Sequence, residues 1–140
     1  FFESRWCDQE VGFAFGRAKL VVPLCKEAIP HGFLGKYQGL KTQGLLPAVV
    51  AENLVGILVR HPLTAQRMAD ALVERMATSG NWNTSKLIIP ILEQVPSLNE
   101  SQIAKLMQSI EENPQVRDAA RVPGRIRQLV ARASSGKRVV

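Results

Sequence analysis

The chain has little of what builds disulfide frameworks, metal centres or membrane spans. Cys7 and Cys25 are its two cysteines. One sits in a helical motif and the other at the end of an apolar run, so both read as buried free thiols. That pattern argues against a disulfide-stapled scaffold and fits a reducing, cytoplasmic compartment. No Cys/His cluster has zinc-ligand spacing, so no metal is expected. No apolar run approaches the ~18 residues that a transmembrane helix needs. The opening residues also lack the basic region and small-residue cleavage site of a secretory signal. No membrane partner is therefore expected. Of the two histidines, His31 lies in a Pro-His-Gly turn and His61 precedes a proline. Neither has a Ser, Cys or Asp arrangement beside it that would suggest a triad.

The net charge is unevenly placed. From Pro114 onward the chain holds Arg117, Arg121, Arg125, Arg127, Arg132, Lys137 and Arg138 against the single acid Asp118. That excess of six equals the whole formal net charge of +6. A basic segment can attract nucleic acid or an anionic membrane. No aromatic residue interleaves these arginines to stack on bases, so the segment reads as a solvated helix face and nucleic acid is not an expected partner.

A chain of 140 residues can bury one ordinary core. Its periodicity predicts a first helix from Trp6 to Arg17, capped by Ser4, with Val11, Ala14 and Phe15 as the buried stripe. Lys19 to Cys25 reads as a short, buried and parallel strand, and Pro23 puts it near an edge or at the strand's end. Lys26 to Gly44 reads as a glycine-rich loop in which Phe33 and Tyr37 anchor one helical turn.

From Pro47 the pattern is helical throughout. His61-Pro62 breaks the first of these helices. A second starts at Pro62 and ends at Gly80-Asn81, and a third is capped by Thr84 and interrupted at Pro90. Asn99 and Gln102 predict a capping box for a fourth, and a last helix runs from Pro123. Short turns between such helices favour a small antiparallel bundle. Residues 134–140 read as a disordered basic tail.

The segment Ser4-Arg5-Trp6-Cys7-Asp8-Gln9-Glu10-Val11 carries the clearest chemistry. Residues four apart share a helix face, so Trp6 and Glu10 point the same way. A carboxylate beside an aromatic wall can stabilise the positive charge that develops on a sugar carbon as a glycosidic bond breaks. When the leaving group is a neutral ring such as nicotinamide, no strong general acid is needed, and one carboxylate can suffice.

This segment resembles the third-helix motif of Toll/interleukin-1 receptor (TIR) domains. The likeness continues through Gly12-Phe13-Ala14-Phe15-Gly16-Arg17-Ala18, Lys19-Leu20-Val21-Val22-Pro23-Leu24 and Pro30-His31-Gly32-Phe33-Leu34-Gly35-Lys36-Tyr37-Gln38, over roughly the first 40 to 60 residues. The resemblance implies an α/β architecture, a partial flavodoxin-like TIR domain, followed by an all-α helical bundle, mostly helical by residue count. It divides the chain into a C-terminal portion of a TIR domain at 1–60, a helical extension at 61–133 and the tail. It also implies preceding strands and a flexible loop.

The function it implies is that of an NAD⁺ nucleosidase in bacterial defence or signalling. Glu10 would be the catalytic acid and Trp6 a substrate-binding wall. NAD⁺ would serve as substrate rather than cofactor, and no other cofactor is implied. The resemblance also implies homotypic self-association. Because missing strands would build much of the nucleotide pocket, this portion alone is not expected to turn over NAD⁺. The alternative is a non-catalytic adaptor whose helical part recruits a protein partner.

Overall fold

The computed structural model describes residues 5–27, 34 and 39–135, and side chains from residue 8 onward. Among these residues the chain forms seven helices and one two-stranded sheet. It divides into two compact units, Phe1–Leu54 and Val55–Val140. The division falls inside a helix.

In the first unit, α1 spans Arg5–Gly16. Ser4, its expected cap, lies outside the described residues. Val11, Ala14 and Phe15 are half-buried, as the apolar stripe requires, whereas Asp8, Gln9 and Glu10 are exposed. The helix closes in a Schellman arrangement. The Lys19 amide donates to the Ala14 carbonyl at 2.9 Å, the Ala18 amide donates to the Phe15 carbonyl at 2.9 Å, and Ala18 takes φ +50°. Glycine is the usual residue at that left-handed position, and an alanine there costs about 1 kcal/mol.

The expected strand over Lys19–Cys25 is shorter than the sequence suggests. Only Leu24–Cys25 (β1) joins a ladder, pairing in parallel with Leu40–Lys41 (β2) in the register Leu24↔Leu40 and Cys25↔Lys41. β1 is also not buried, since Leu24 is 52% exposed. β2 falls in the segment read as a loop. Its pairing depends on Gly39, where a Cβ would meet Cys25 Sγ and stand 3.1 Å from the Pro23 carbonyl oxygen. That carbonyl accepts the Leu40 amide at 2.8 Å, so the backbones must come this close. Gly44, with φ +74°, turns the chain out of β2. Phe33, Lys36, Tyr37 and His31 lie outside the described residues.

α2 runs Pro47–Arg60, beginning at the predicted proline and ending before His61-Pro62. Its last residues belong to the second unit. There His61–Thr64 form a turn rather than the start of a helix. The Thr64 hydroxyl donates to the Leu58 carbonyl at 2.6 Å, and His61 Nδ1 accepts the Leu63 amide at 3.2 Å. α3 therefore starts at Ala65 and ends at Ala77.

α4 spans Trp82–Leu92, and its cap is Asn81 rather than Thr84. Asn81 Oδ1 accepts the Thr84 amide at 2.8 Å and the Thr84 hydroxyl at 3.0 Å. Pro90 lies inside α4 but only two residues from its end, so the lost amide bond affects the final turn alone. α5, Glu100–Glu112, has the predicted capping box. The Asn99 side chain accepts the Gln102 amide, and the Gln102 side chain accepts the Asn99 amide, both at 2.9 Å.

α6, Pro114–Arg117, is a single turn that the sequence reading did not anticipate, and α7 follows at Val122–Ser135. Ser134 and Ser135, expected in the disordered tail, close α7 with hydroxyls on the Val130 and Ala131 carbonyls. Residues 136–140 lie outside the described residues.

α3 packs on α4 and α5, and α7 packs on the same pair. Met76, Ile89, Leu92, Leu106, Val116 and Ile126 fill the space between them, each almost fully buried. Two polar ties cross this core. Ser85, fully buried, donates between Ser79 Oγ at 2.8 Å and the Gln115 carbonyl at 2.9 Å. Asn113 caps α6 through Oδ1 and gives Nδ2 to the Ala77 and Ser79 carbonyls at 2.9 and 3.0 Å. Every buried polar side-chain atom among the described residues has a partner, as a specified core demands.

Candidate functional site

Glu10 sits in the second turn of α1 and is exposed. Among the described residues its carboxylate has neither a hydrogen-bond nor an ion-pair partner. Trp6 lies one turn before it on the same helix, and its side chain lies outside the described residues. One turn beyond Glu10 stands a residue that the sequence reading placed only in the family motif. Phe13 is 66% exposed, and the Arg17 guanidinium sits over its ring, 5.0 Å from the centroid. The i, i+3, i+7 spacing of Glu10, Phe13 and Arg17 puts an acid, an aromatic and a cation on one face of α1. The spacing is legible in the sequence and extends the Trp6–Glu10 face by two residues.

Cys25 is half-buried and free. No group of His, Cys, Asp or Glu among the described residues is placed to hold a metal ion. None of their helices is long and apolar enough to cross a membrane.

The second unit has a concavity of its own. A groove of about 340 Å³ lies between the α4–α5 connection and the C-terminal part of α7. Val95, Leu98 and Leu129 contribute apolar surface, and Arg132, Glu93 and Ser97 contribute polar groups. Glu93 is already engaged. Arg125 Nε donates to its Oε1 at 2.8 Å and Nη2 to its Oε2 at 2.5 Å. These bonds hold the Glu93 carboxyl below its ordinary pKa against the opposing effect of partial burial, with the charges of Arg125 and Arg132 helping. The same pairing raises Arg125. The groove is therefore lined by one acid, Glu93, which Arg125 neutralises from outside the lining, and by one cation, Arg132.

No family model matches the chain, nor does any curated protein or solved structure.

Proposed function

We propose that this chain belongs to a TIR-type NAD⁺ nucleosidase, with Glu10 as the catalytic carboxylate and the helical unit as a module for signal-dependent assembly in the cytosol. The observation that carries this reading is Glu10 itself, an exposed carboxylate with no partner among the described residues, in a helix that leads to a short parallel strand. A carboxylate already paired to a cation has much of its field cancelled, whereas a free one acts fully on a developing positive charge.

In the reaction, the bond between ribose C1′ and the nicotinamide nitrogen breaks. The electron pair leaves with nicotinamide, which departs as a neutral base. Glu10 faces the oxocarbenium-like sugar and accepts hydrogen bonds from its hydroxyls. Water then adds to C1′ and loses its proton, giving ADP-ribose. Trp6 serves as the aromatic wall that keeps the sugar against the acid.

The test is NAD⁺ consumption by the full-length protein after forced clustering, with Glu10→Gln as the partner variant. Neutralising the carboxylate at constant shape should cost about 10²–10³-fold in turnover while the far-UV spectrum and unfolding midpoint stay unchanged. Turnover that survives the substitution would remove Glu10 from the mechanism.

The adaptor reading has its own support. Phe13, Leu24 and Leu46 are 66%, 52% and 71% exposed in the first unit, and each is a large apolar side chain that a partner surface could cover. It predicts clustering without NAD⁺ loss, which the same assay reads directly.

A further inference from the structure

We propose that the groove between the α4–α5 connection and α7 binds a short segment of another protein, one that carries a large apolar side chain beside a carboxylate. Neither Glu10 nor NAD⁺ takes part in this site.

The apolar half of the site is Pro96, exposed, and Ala133, half-buried, over a floor of Val95, Leu98 and Leu129, which are 7%, 4% and 5% exposed and belong to the packed core. A volume of about 340 Å³ exceeds what one water or ion occupies and falls at the small end of ligand pockets. Burying an apolar side chain against such a wall is favourable by the area it removes from water.

The charged half is Arg132. It is exposed on the last turns of α7 and has no hydrogen-bond or ion-pair partner among the described residues. The acid nearest to it in the lining, Glu93, is held bidentately by Arg125, so the Arg132 guanidinium keeps its donors for a ligand. A guanidinium matches a carboxylate in a two-bond fork. The surrounding field has the same sign. Over residues 114–135 five arginines stand against Asp118, which is itself paired to Arg117. Such a field draws acidic partners and repels basic ones.

The chemistry of the wall separates a peptide from a nucleic acid. The apolar lining is aliphatic, and the second unit's one aromatic, Trp82, stands at the far end of α4 from Glu93. An aliphatic floor beside an arginine fits an apolar side chain next to Asp or Glu and offers bases nothing to stack on.

The probe is a fluorescein-labelled peptide, Asp-Asp-Leu-Phe-Asp-Asp, titrated with the full chain by fluorescence anisotropy. Saturable binding is expected, weaker by about tenfold or more in Arg132→Glu and weakened by added salt. Ala133→Trp, which fills the groove without touching the charge, should weaken it to a similar degree. Arg132→Gln serves as a milder check if either variant alters the unfolding midpoint. Absence of binding overturns the proposal. So does equal binding of the control Asp-Asp-Gly-Gly-Asp-Asp, because the groove then plays no part. Complete displacement by duplex DNA that Ala133→Trp binds as well as the parent chain would mark a diffuse anion-attracting surface and overturn it too.

Discussion

Phe13 and Leu46 in the first unit remain 66% and 71% exposed, whereas Leu106 and Ile126 in the second are completely buried. Composition alone points the other way. Seven of the eight aromatic residues precede Val55, and the second unit has only Trp82. Yet no described residue before Val55 is fully buried, while the second unit assembles a continuous aliphatic core. Apolar content therefore does not make a core. A core needs several elements whose apolar faces converge. α3, α4, α5 and α7 each repeat apolar residues at helical spacing and bury one another. Among the described residues of the first unit, α1, the first two turns of α2 and a pair of two-residue strands supply too few facing surfaces.

The largest expected effect tests that difference directly. Leu106→Ala, at the centre of the second unit, should lose about 3–4 kcal/mol in urea unfolding. Phe13→Ala, which removes a larger side chain from an exposed position, should change stability by about 0.5 kcal/mol at most, including its contact with Arg17. Similar losses at the two sites would mean that the first unit packs Phe13 far better than its exposure indicates.

A smaller effect probes the first unit by its own weak point. Gly39→Ala puts a methyl group against Cys25 and the Pro23 carbonyl, so either the thiol rotates away or the strands part. The expected cost is about 1–2 kcal/mol, confined to the first unit. Mass-spectrometric mapping of alkylation should show Cys25 labelled faster, while the unfolding midpoint of the helical unit stays in place. A midpoint that falls with the sheet would show that the two units unfold together.

The third substitution acts at a helix start. Asn99→Ala removes one side of the capping box and should cost the second unit about 1 kcal/mol. Gln102, the other side, is almost fully buried and also donates to Asp70 Oδ1 at 2.7 Å. Its replacement by alanine should cost at least as much, because it removes both the bond from the Asn99 amide and the bond to Asp70 and leaves space at a buried position.

That capping box was the most legible feature of the fold, since both residues and their spacing are local. Pro47 as a helix start and His61-Pro62 as a helix end were legible for the same reason. The misses share a different cause. Asn81 and Thr84 are both good caps, and propensity alone could not choose between them until the Asn81 side chain was seen bridging to Thr84. The single turn α6 has no period to detect. It exists because Pro114 starts it and Asn113 ties it to the end of α3, a contact between residues more than thirty positions apart. β2 was hidden by the glycines around it, though one of them, Gly39, is what lets its partner strand approach. The candidate sites divide in the same way. Glu10 came from a local motif. Arg132 looked like one solvated arginine among many. The groove beside it is built from a connection and a helix that are distant in sequence.

The smallest expected effect concerns the ion pair beside that groove. Arg125 and Glu93 are 35% and 26% exposed, so solvent screens their attraction, and the pair should contribute only about 0.5–1 kcal/mol. Glu93 has a folded-state pKa below its ordinary 4.5. Its contribution is therefore complete above that value, where both folded and unfolded chains carry the charge. It disappears as the pH falls through the lowered folded value and Glu93 becomes protonated. Arg125, raised further from neutrality, stays charged throughout. The stability gap between the parent chain and Glu93→Gln should stay flat from about pH 5 to pH 8 and close in stronger acid. A gap that persists under acid would assign the loss to packing rather than charge. Double-mutant cycles then separate the two arginines. Glu93 should couple to Arg125 more strongly than to Arg132, because only Arg125 makes the two-bond contact. A coupling to Arg132 as large as that to Arg125 would place Arg132 inside the ion pair and leave the groove without a free cation.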